Sequence, residues 1–429
     1  MRLSSFRQSQ ATSSSYGAHA SSASAKQPSV WRKRSWSETN TAPASSSSTV
    51  IHDIHEEPTT IPPHSGAFGS PSPTAFAPLP PSIDGSGSSS SSNSSSSSSG
   101  TMIGPLNFPS PKFAACRKIK SSSARGGFTL VSGATQRSWK VVKSLRECQF
   151  GEVFLAVEVT GASSVGARGR ASKSSSTTYF AIKEMSNQKI RAMHGRLLED
   201  PLREVSVLQL LSREEHANVL QCTEALRDKE SVYIVTPFFG GELFDVLSEK
   251  GRFSEEEARP LIRQVLGALL HLKRHGVCHR DVSLENLLLD DANRVKLIDF
   301  GLALRIPQTA DGRARVLLPQ GACGKQNYIS PEVLINSGGF DGFAVDVWAC
   351  GVLFFVLLTG VPPFELALPS QDHRCHVVAV EERLCDLLAT WKMYLSAEVT
   401  NMIQSCLLYQ PERRPSLESL WNHPWLNAS

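Results

Sequence analysis

No aspartate or glutamate precedes Glu38, no Cys-x-x-Cys pair occurs, and no apolar run lies between Met1 and Ser15. Each absence excludes something. Without an apolar run at the start, no secretory signal is expected. Nine cysteines standing singly do not make a disulfide framework; they suit reduced thiols and hence a cytoplasmic or nuclear setting. His373, Cys375 and His376 are the nearest approach to a metal cluster and lack a second ligand pair at zinc-site spacing. The most apolar stretch, Val347 to Val361, is shorter than the ~20 residues that cross a bilayer. It follows Asp346 and reads as a buried core helix, so no membrane span is expected. The acid-free, Arg- and Ser-bearing start is shared with organellar transit peptides, but solvated disorder is the plainer reading.

Charge is unevenly placed. Residues 1–140 hold 13 Lys and Arg against 5 Asp and Glu, whereas the remainder holds 31 against 35. The part with folding capacity is near neutral, which gives no reason to expect a nucleic-acid surface. Residues 1–135 are rich in Ser, Pro, Gly and Ala, including Ser88–Ser99 broken only by Asn93. Such a composition buries too little apolar area to offset the entropy of ordering, so a disordered basic tail is expected there.

From residue 136 to 426 the pattern changes. Val141–Leu145, Val153–Val159, Tyr179–Lys183 and Val232–Val235 read as strands. Residues 160–178 form a Ser/Gly/Arg-rich insertion between two of them. Leu202, Val205, Leu208 and Leu211 lie at helical spacing, and Ser254 with Glu257 forms a capping box before a long helix. The expected fold class is α+β: a small β-rich lobe over 136–236, then a larger helical lobe over 237–426.

Several polar residues in this region supply what phosphoryl transfer asks of a protein: metal ligands, positive charge at the phosphates, and a group that positions the attacking hydroxyl. Phe180-Ala181-Ile182-Lys183 ends a strand in an ammonium, and Glu204 on the next helix can fix it. Glu199 is a nearby competitor for that pairing. Cys278-His279-Arg280-Asp281 precedes Asn286, and Leu297-Ile298-Asp299-Phe300-Gly301 follows. Asp281 suits the acceptor of the hydroxyl proton, and Asn286 and Asp299 suit the metal. Each motif alone has a bland reading as a solvated lysine or a turn aspartate; their order and spacing carry the inference.

In these motifs the chain resembles the eukaryotic protein kinases, over Leu145 to Leu426. The resemblance implies the bilobal kinase fold, ATP and Mg2+ as cofactors, and transfer to protein serine or threonine. Val282 to Leu284 lacks the Ala/Arg pattern of tyrosine kinases. It also implies nucleotide contacts from Leu145, Gly151, Val153, Ala181, Lys183, Glu242, Asn286 and Asp299. Ser330-Pro331-Glu332 stands where the family has A-P-E, with Glu332 expected to pair with Arg414, and Asp346-Val347-Trp348 resembles the helix that anchors the catalytic loop. Gly240-Gly241-Glu242-Leu243-Phe244 and His423-Pro424-Trp425-Leu426 are similar to the calcium/calmodulin-dependent kinase group. No calmodulin-binding or EF-hand module is expected, and a monomer is.

The departures from the family matter as much. Arg146, Cys148 and Gly151 stand where G-x-G-x-x-G belongs, so only the last glycine remains. Losing the others is expected to weaken or reshape phosphate binding, with Arg146 either compensating by its charge or pointing outward. Ser283 replaces the lysine two residues after the catalytic aspartate, and Lys325 replaces the threonine after Gly324. Two readings follow: a reciprocal exchange with both side chains in the catalytic site, or independent drift with Lys325 in solvent. The rival to an active enzyme is a pseudokinase, the same fold serving as scaffold or allosteric binding module.

Glu242 and Glu285 match family positions that contact arginines upstream of the phosphoacceptor, so protein substrates with basic residues upstream are expected. Arg32-Lys33-Arg34-Ser35-Trp36-Ser37 offers such a sequence within the tail. Thr309 is the only hydroxyl between Leu302 and Tyr328, so switching is not expected to depend on a phosphorylated activation segment facing Arg280.

Overall fold

The computed structural model describes residues 102–121, 127–159, 178–290, 292–307 and 315–427, all within one compact unit, Gly66–Ser429. Residues 160–177, Thr309 and the Ser35/Ser37 sequence lie outside the described residues.

Regular structure begins earlier than composition suggests. The stretch expected to be tail to residue 135 contains β1 (Ala114–Lys120) and β2 (Phe128–Ser132). In β1 the alternation is of half-buried and exposed residues, and its basic side chains resemble those of a tail. In β2 the inward Phe128, Leu130 and Ser132 alternate over only five residues beside a Ser/Gly run. The boundary at 136 is therefore corrected: both strands belong to the folded lobe.

These two strands join β3 (Ser138–Cys148), β4 (Gly151–Glu158), β5 (Tyr179–Ser186), β6 (Glu224–Arg227) and β7 (Ser231–Pro237). The order is β1-β2-β3-β4-β5-β7-β6, and parallel pairing of Ala114 with Leu226 closes it into a barrel. Closure removes both open edges. Leu130, Trp139, Ile182, Leu226, Tyr233 and Val235 fill the interior with no exposure. Two helices interrupt the strands, α1 (Asn187–Met193) and α2 (Pro201–Leu211). Asp200 caps α2 by accepting from Leu202 N at 2.9 Å, and Pro201 opens it with a preset φ.

The second lobe runs through β8 (Gly241–Glu242), α3 (Leu243–Lys250), α4 (Glu255–Arg274), β9 (Val277–Cys278), β10 (Leu287–Leu289), β11 (Val295–Leu297), β12 (Leu304–Arg305), α5 (Pro331–Ile335) and α6 (Gly342–Thr359). The expected capping box opens α4: Glu257 N donates to Ser254 Oγ at 3.3 Å, and Ser254 N donates to Glu257 Oε2 at 2.9 Å. Helix α6 is apolar on every side because every side is packed; 94% of it is buried inside the protein, as expected of a core helix.

A strap formed by residues 102–113 ties the lobes together. Ile103 N donates to Val316 O at 3.1 Å, Leu318 N to Ile103 O at 2.9 Å, and Leu106 N to Arg305 O at 2.9 Å. Further along, Lys112 N donates to Gln209 Oε1 at 2.9 Å while Gln209 Nε2 donates back to Lys112 O at 2.6 Å. The activation segment, β12 and α2 thus share one extended backbone.

Candidate active site

The catalytic loop leaves β9 and is held from below by α6. Asp346 accepts the backbone N–H groups of His279 and Arg280, each at 2.8 Å. His279 Nε2 lies 3.0 Å from Ile298 O, and its ring meets Phe300 edge-on at 5.2 Å between centroids. Arg280 and Asp299 take left-handed backbone angles, φ +67° and +66°. Such angles are costly for side chains other than glycine and persist only where the surroundings hold them.

Asp281 and Asn286 converge. Asn286 Nδ2 donates to the backbone oxygen and to Oδ2 of Asp281, both at 2.8 Å, so its Oδ1 is the atom left for a cation. Burial pushes the Asp281 carboxyl up to about 6, against the pull of the Lys325 ammonium. Burial also disfavours charge on Asp299, but Lys183 and His279 outweigh it and hold that carboxyl below its ordinary value. Lys183 Nζ sits 2.6 Å from Glu204 Oε2, the expected pairing. Burial opposes the Lys183 charge, yet Glu204, Asp299 and Glu199 keep it protonated, above the ordinary lysine value. An amide oxygen and a carboxylate on facing segments form the hard oxygen donor set that Mg2+ prefers.

Lys325 lies inside the site rather than in solvent. Its backbone N donates to Asp281 Oδ1 at 3.2 Å, its Nζ donates to Ser283 Oγ at 2.7 Å, and the same Nζ is 3.3 Å from Glu285 Oε2. Gly324 makes this approach possible: its φ is +97°, and a Cβ there would stand 2.9 Å from Arg280 O. Arg280 is buried and donates Nη2 to Gly321 O at 3.1 Å, 5.5 Å from the Phe340 ring. Glu332 and Arg414 form the expected pair, bidentate at 2.7 and 2.8 Å.

The hairpin at the position of the family's glycine-rich loop is the β3–β4 turn. Cys148 pairs with Gly151 and Arg146 with Val153, while Val153 pairs with Lys183 on β5. A bulge between Ser144 and Arg146 leaves Leu145 without a register partner, 37% exposed. Gly151 has a packing reason to persist, because a Cβ would stand 2.0 Å from Glu184 O. Phe150 is buried, and its oxygen accepts from Ser186 N at 2.9 Å. Burial raises the Cys148 thiol, against the nearby Lys183 charge. Arg146 Nη1 is 3.6 Å from Glu242 Oε1, and Ala181 shares the Lys183 face of β5.

One carboxyl acquires a place that its sequence position did not announce. Glu199 packs on the DFG glycine: a Cβ at Gly301 would meet Glu199 Cγ at 2.7 Å, and Asp200 N donates to Gly301 O at 3.1 Å. Burial and the Asp299 charge push Glu199 up to about 7.

Comparison with known proteins agrees with this arrangement. The chain is 35% identical over 247 residues to CBL-interacting protein kinase 31 of Oryza sativa subsp. japonica, covering 57% of this chain and 51% of the relative. It is 36% identical over 251 residues to CBL-interacting serine/threonine-protein kinase 24 of Arabidopsis thaliana, covering 58% and 52%. The chain spans about half the length of the curated relatives it matches. The protein kinase domain family matches residues 154–426, starting just past the hairpin turn. With that match and with Lys183, Glu204, Asp281, Asn286 and Asp299 assembled in one cleft, the chain belongs to the protein kinase domain family.

Proposed function

We propose that this chain transfers the γ-phosphoryl group of ATP to serine or threonine hydroxyls of proteins. The observation that carries the reading is the buried Asp281–Asn286 hydrogen-bonded unit facing Asp299 and the Lys183–Glu204 pair. Asp281 accepts the hydroxyl proton and orients the nucleophile. Lys183, fixed by Glu204, meets phosphate oxygens. Asn286 Oδ1 and Asp299 would hold Mg2+, which when bound neutralises charge on the phosphates. Lys325 supplies the ammonium that Ser283 lacks, in keeping with a reciprocal exchange, and Ser283 anchors it through its hydroxyl.

Glu242 and Glu285 support a modest preference for basic residues upstream of the phosphoacceptor, modest because each already faces a cation of the chain, Arg146 and Lys325. The buried Arg280, engaged by Gly321 O, supports activity without activation-segment phosphorylation. Nine free cysteines support a reducing compartment, cytoplasmic or nuclear.

The test is transfer of labelled phosphate from Mg-ATP to a basic serine peptide and to the protein itself. Wild type is compared with Asp281→Asn and Asp299→Asn. Transfer lost in both variants supports the proposal; folded wild type without transfer at millimolar ATP refutes it.

A further inference from the structure

The hairpin that has lost two glycines gains a cation aimed into the cleft. Residues directly paired across neighbouring strands point to the same face. Arg146 pairs with Val153 and Val153 with Lys183, so Arg146 and Lys183 flank Val153 on one face of the sheet. The bulge at Leu145 sets this up. Continuing the pairing of Ser144 with Phe154 would have put Leu145 opposite Val153; the extra residue puts Arg146 there instead. Neighbouring strands are about 4.8 Å apart, so the two backbones stand roughly 10 Å apart with long cationic side chains on one face.

The guanidinium is not outside the site. It lies 3.6 Å from Glu242 on the opposite wall, and its field reaches the carboxylates of Glu204 and Asp299. Its pair with Glu242 is loose: the side chains are 44% and 36% exposed, so water screens the attraction and a stronger anion displaces it.

We propose that Arg146 is a phosphate-binding residue for the nucleotide, replacing with one guanidinium the backbone N–H contacts that the glycine-rich loop would have given. Glu242 is its resting partner; when a triphosphate enters between Arg146 and Lys183, the guanidinium passes from carboxylate to phosphate and frees Glu242. Arginine suits this exchange because its planar fork takes two oxygens of either group. The inference rests on the kinase reading, since it assumes that the nucleotide occupies this cleft.

The two accounts of the hairpin predict opposite signs. If glycine at this position were what phosphate binding lacked, Arg146→Gly would tighten ATP binding; the geometry requires it to weaken. The experiment is calorimetric binding of Mg-ATP and of adenosine to the full chain, in wild type, Arg146→Gly and Arg146→Lys. Arg146→Gly is expected to lose about tenfold in ATP affinity and Arg146→Lys about threefold, while adenosine binds all three equally. ATP binding by Arg146→Gly that is unchanged or tighter overturns the proposal and leaves the phosphotransfer reading intact. An equal loss for ATP and adenosine also overturns it, because it marks a distorted hairpin rather than a missing phosphate contact. Folded wild type that binds neither compound overturns the proposal and the kinase reading together.

Discussion

The two walls of the cleft are built on different principles. On the larger lobe, Asp281 and Asn286 are buried, bonded to each other, and carried on a loop that Asp346 holds by two backbone N–H groups. On the smaller lobe, the hairpin offers a 44% exposed arginine in a loose ion pair, and the family match begins beyond it, at residue 154. Proton acceptance and metal coordination need particular oxygens in particular places, so they demand a network with no spare atoms. Neutralising a phosphate needs only positive charge at the right depth. Backbone amides or a guanidinium can provide it, so sequence on that wall is freer to change.

The comparison breaks most readily at the rigid wall. Asp281→Asn and Asp299→Asn are each expected to lower kcat for peptide phosphorylation by about a thousandfold or more, because one removes the proton acceptor and the other an ionised metal-binding oxygen. A loss below about tenfold in either would show that this wall is no more constrained than the hairpin. Lys325→Thr comes next, with a fall of about ten- to a hundredfold. It carries a pH signature as well. Asp281 must be ionised to accept a proton, so activity is expected to fall as pH drops through about 6. The Lys325 ammonium stabilises the ionised form, so removing it moves the acid limb of the kcat profile to higher pH. Combining Ser283→Lys with Lys325→Thr should recover part of the loss. Failure of the double variant to exceed either single change would show that Lys325 and Ser283 do not form one unit.

Legibility in the sequence follows the same division. The rigid wall is readable because its residues sit in short motifs at fixed spacing, and the structure joins Glu332 to Arg414 as those motifs implied; on the smaller lobe the same holds for Lys183 and Glu204, away from the hairpin. Lys325 left two readings open, and only the fold shows its ammonium on Ser283. What was not legible depends on register and long-range pairing. The pairing of Arg146 with Val153 is set by two register shifts in β3, between Val141 and Lys143 and between Ser144 and Arg146, backbone events without a residue signature. Strands β1 and β2 have the composition of a tail, and what places them in the barrel is long-range pairing: β1 meets β6 more than a hundred residues away, and β2 lies between β1 and β3. The strap at Ile103 and Leu106 bonds through backbone atoms, to which composition is blind. Glu199 is visible in the sequence only as a competitor for Lys183; the fold gives the hydrogen bond to Glu204, leaves Glu199 acting on Lys183 through its charge, and sets it against Gly301.

The remaining predictions separate two reasons for a glycine in the hairpin. Gly151 persists because β4 and β5 leave no room for a side chain. Gly151→Ala is therefore expected to lower stability by about 1–3 kcal/mol, seen as a reduced urea midpoint, even without nucleotide. Cys148 tests the opposite case and should give the smallest effect. Its backbone is already paired with Gly151, its thiol is only partly buried, and the phosphate-facing charge on this strand belongs to Arg146. Cys148→Gly restores the family residue at a position whose amide the ladder already fixes. ATP affinity should then change by less than about threefold. Tightening of tenfold or more would mean that a glycine amide, not charge, limits phosphate binding, and the contrast between the two walls would lose its basis.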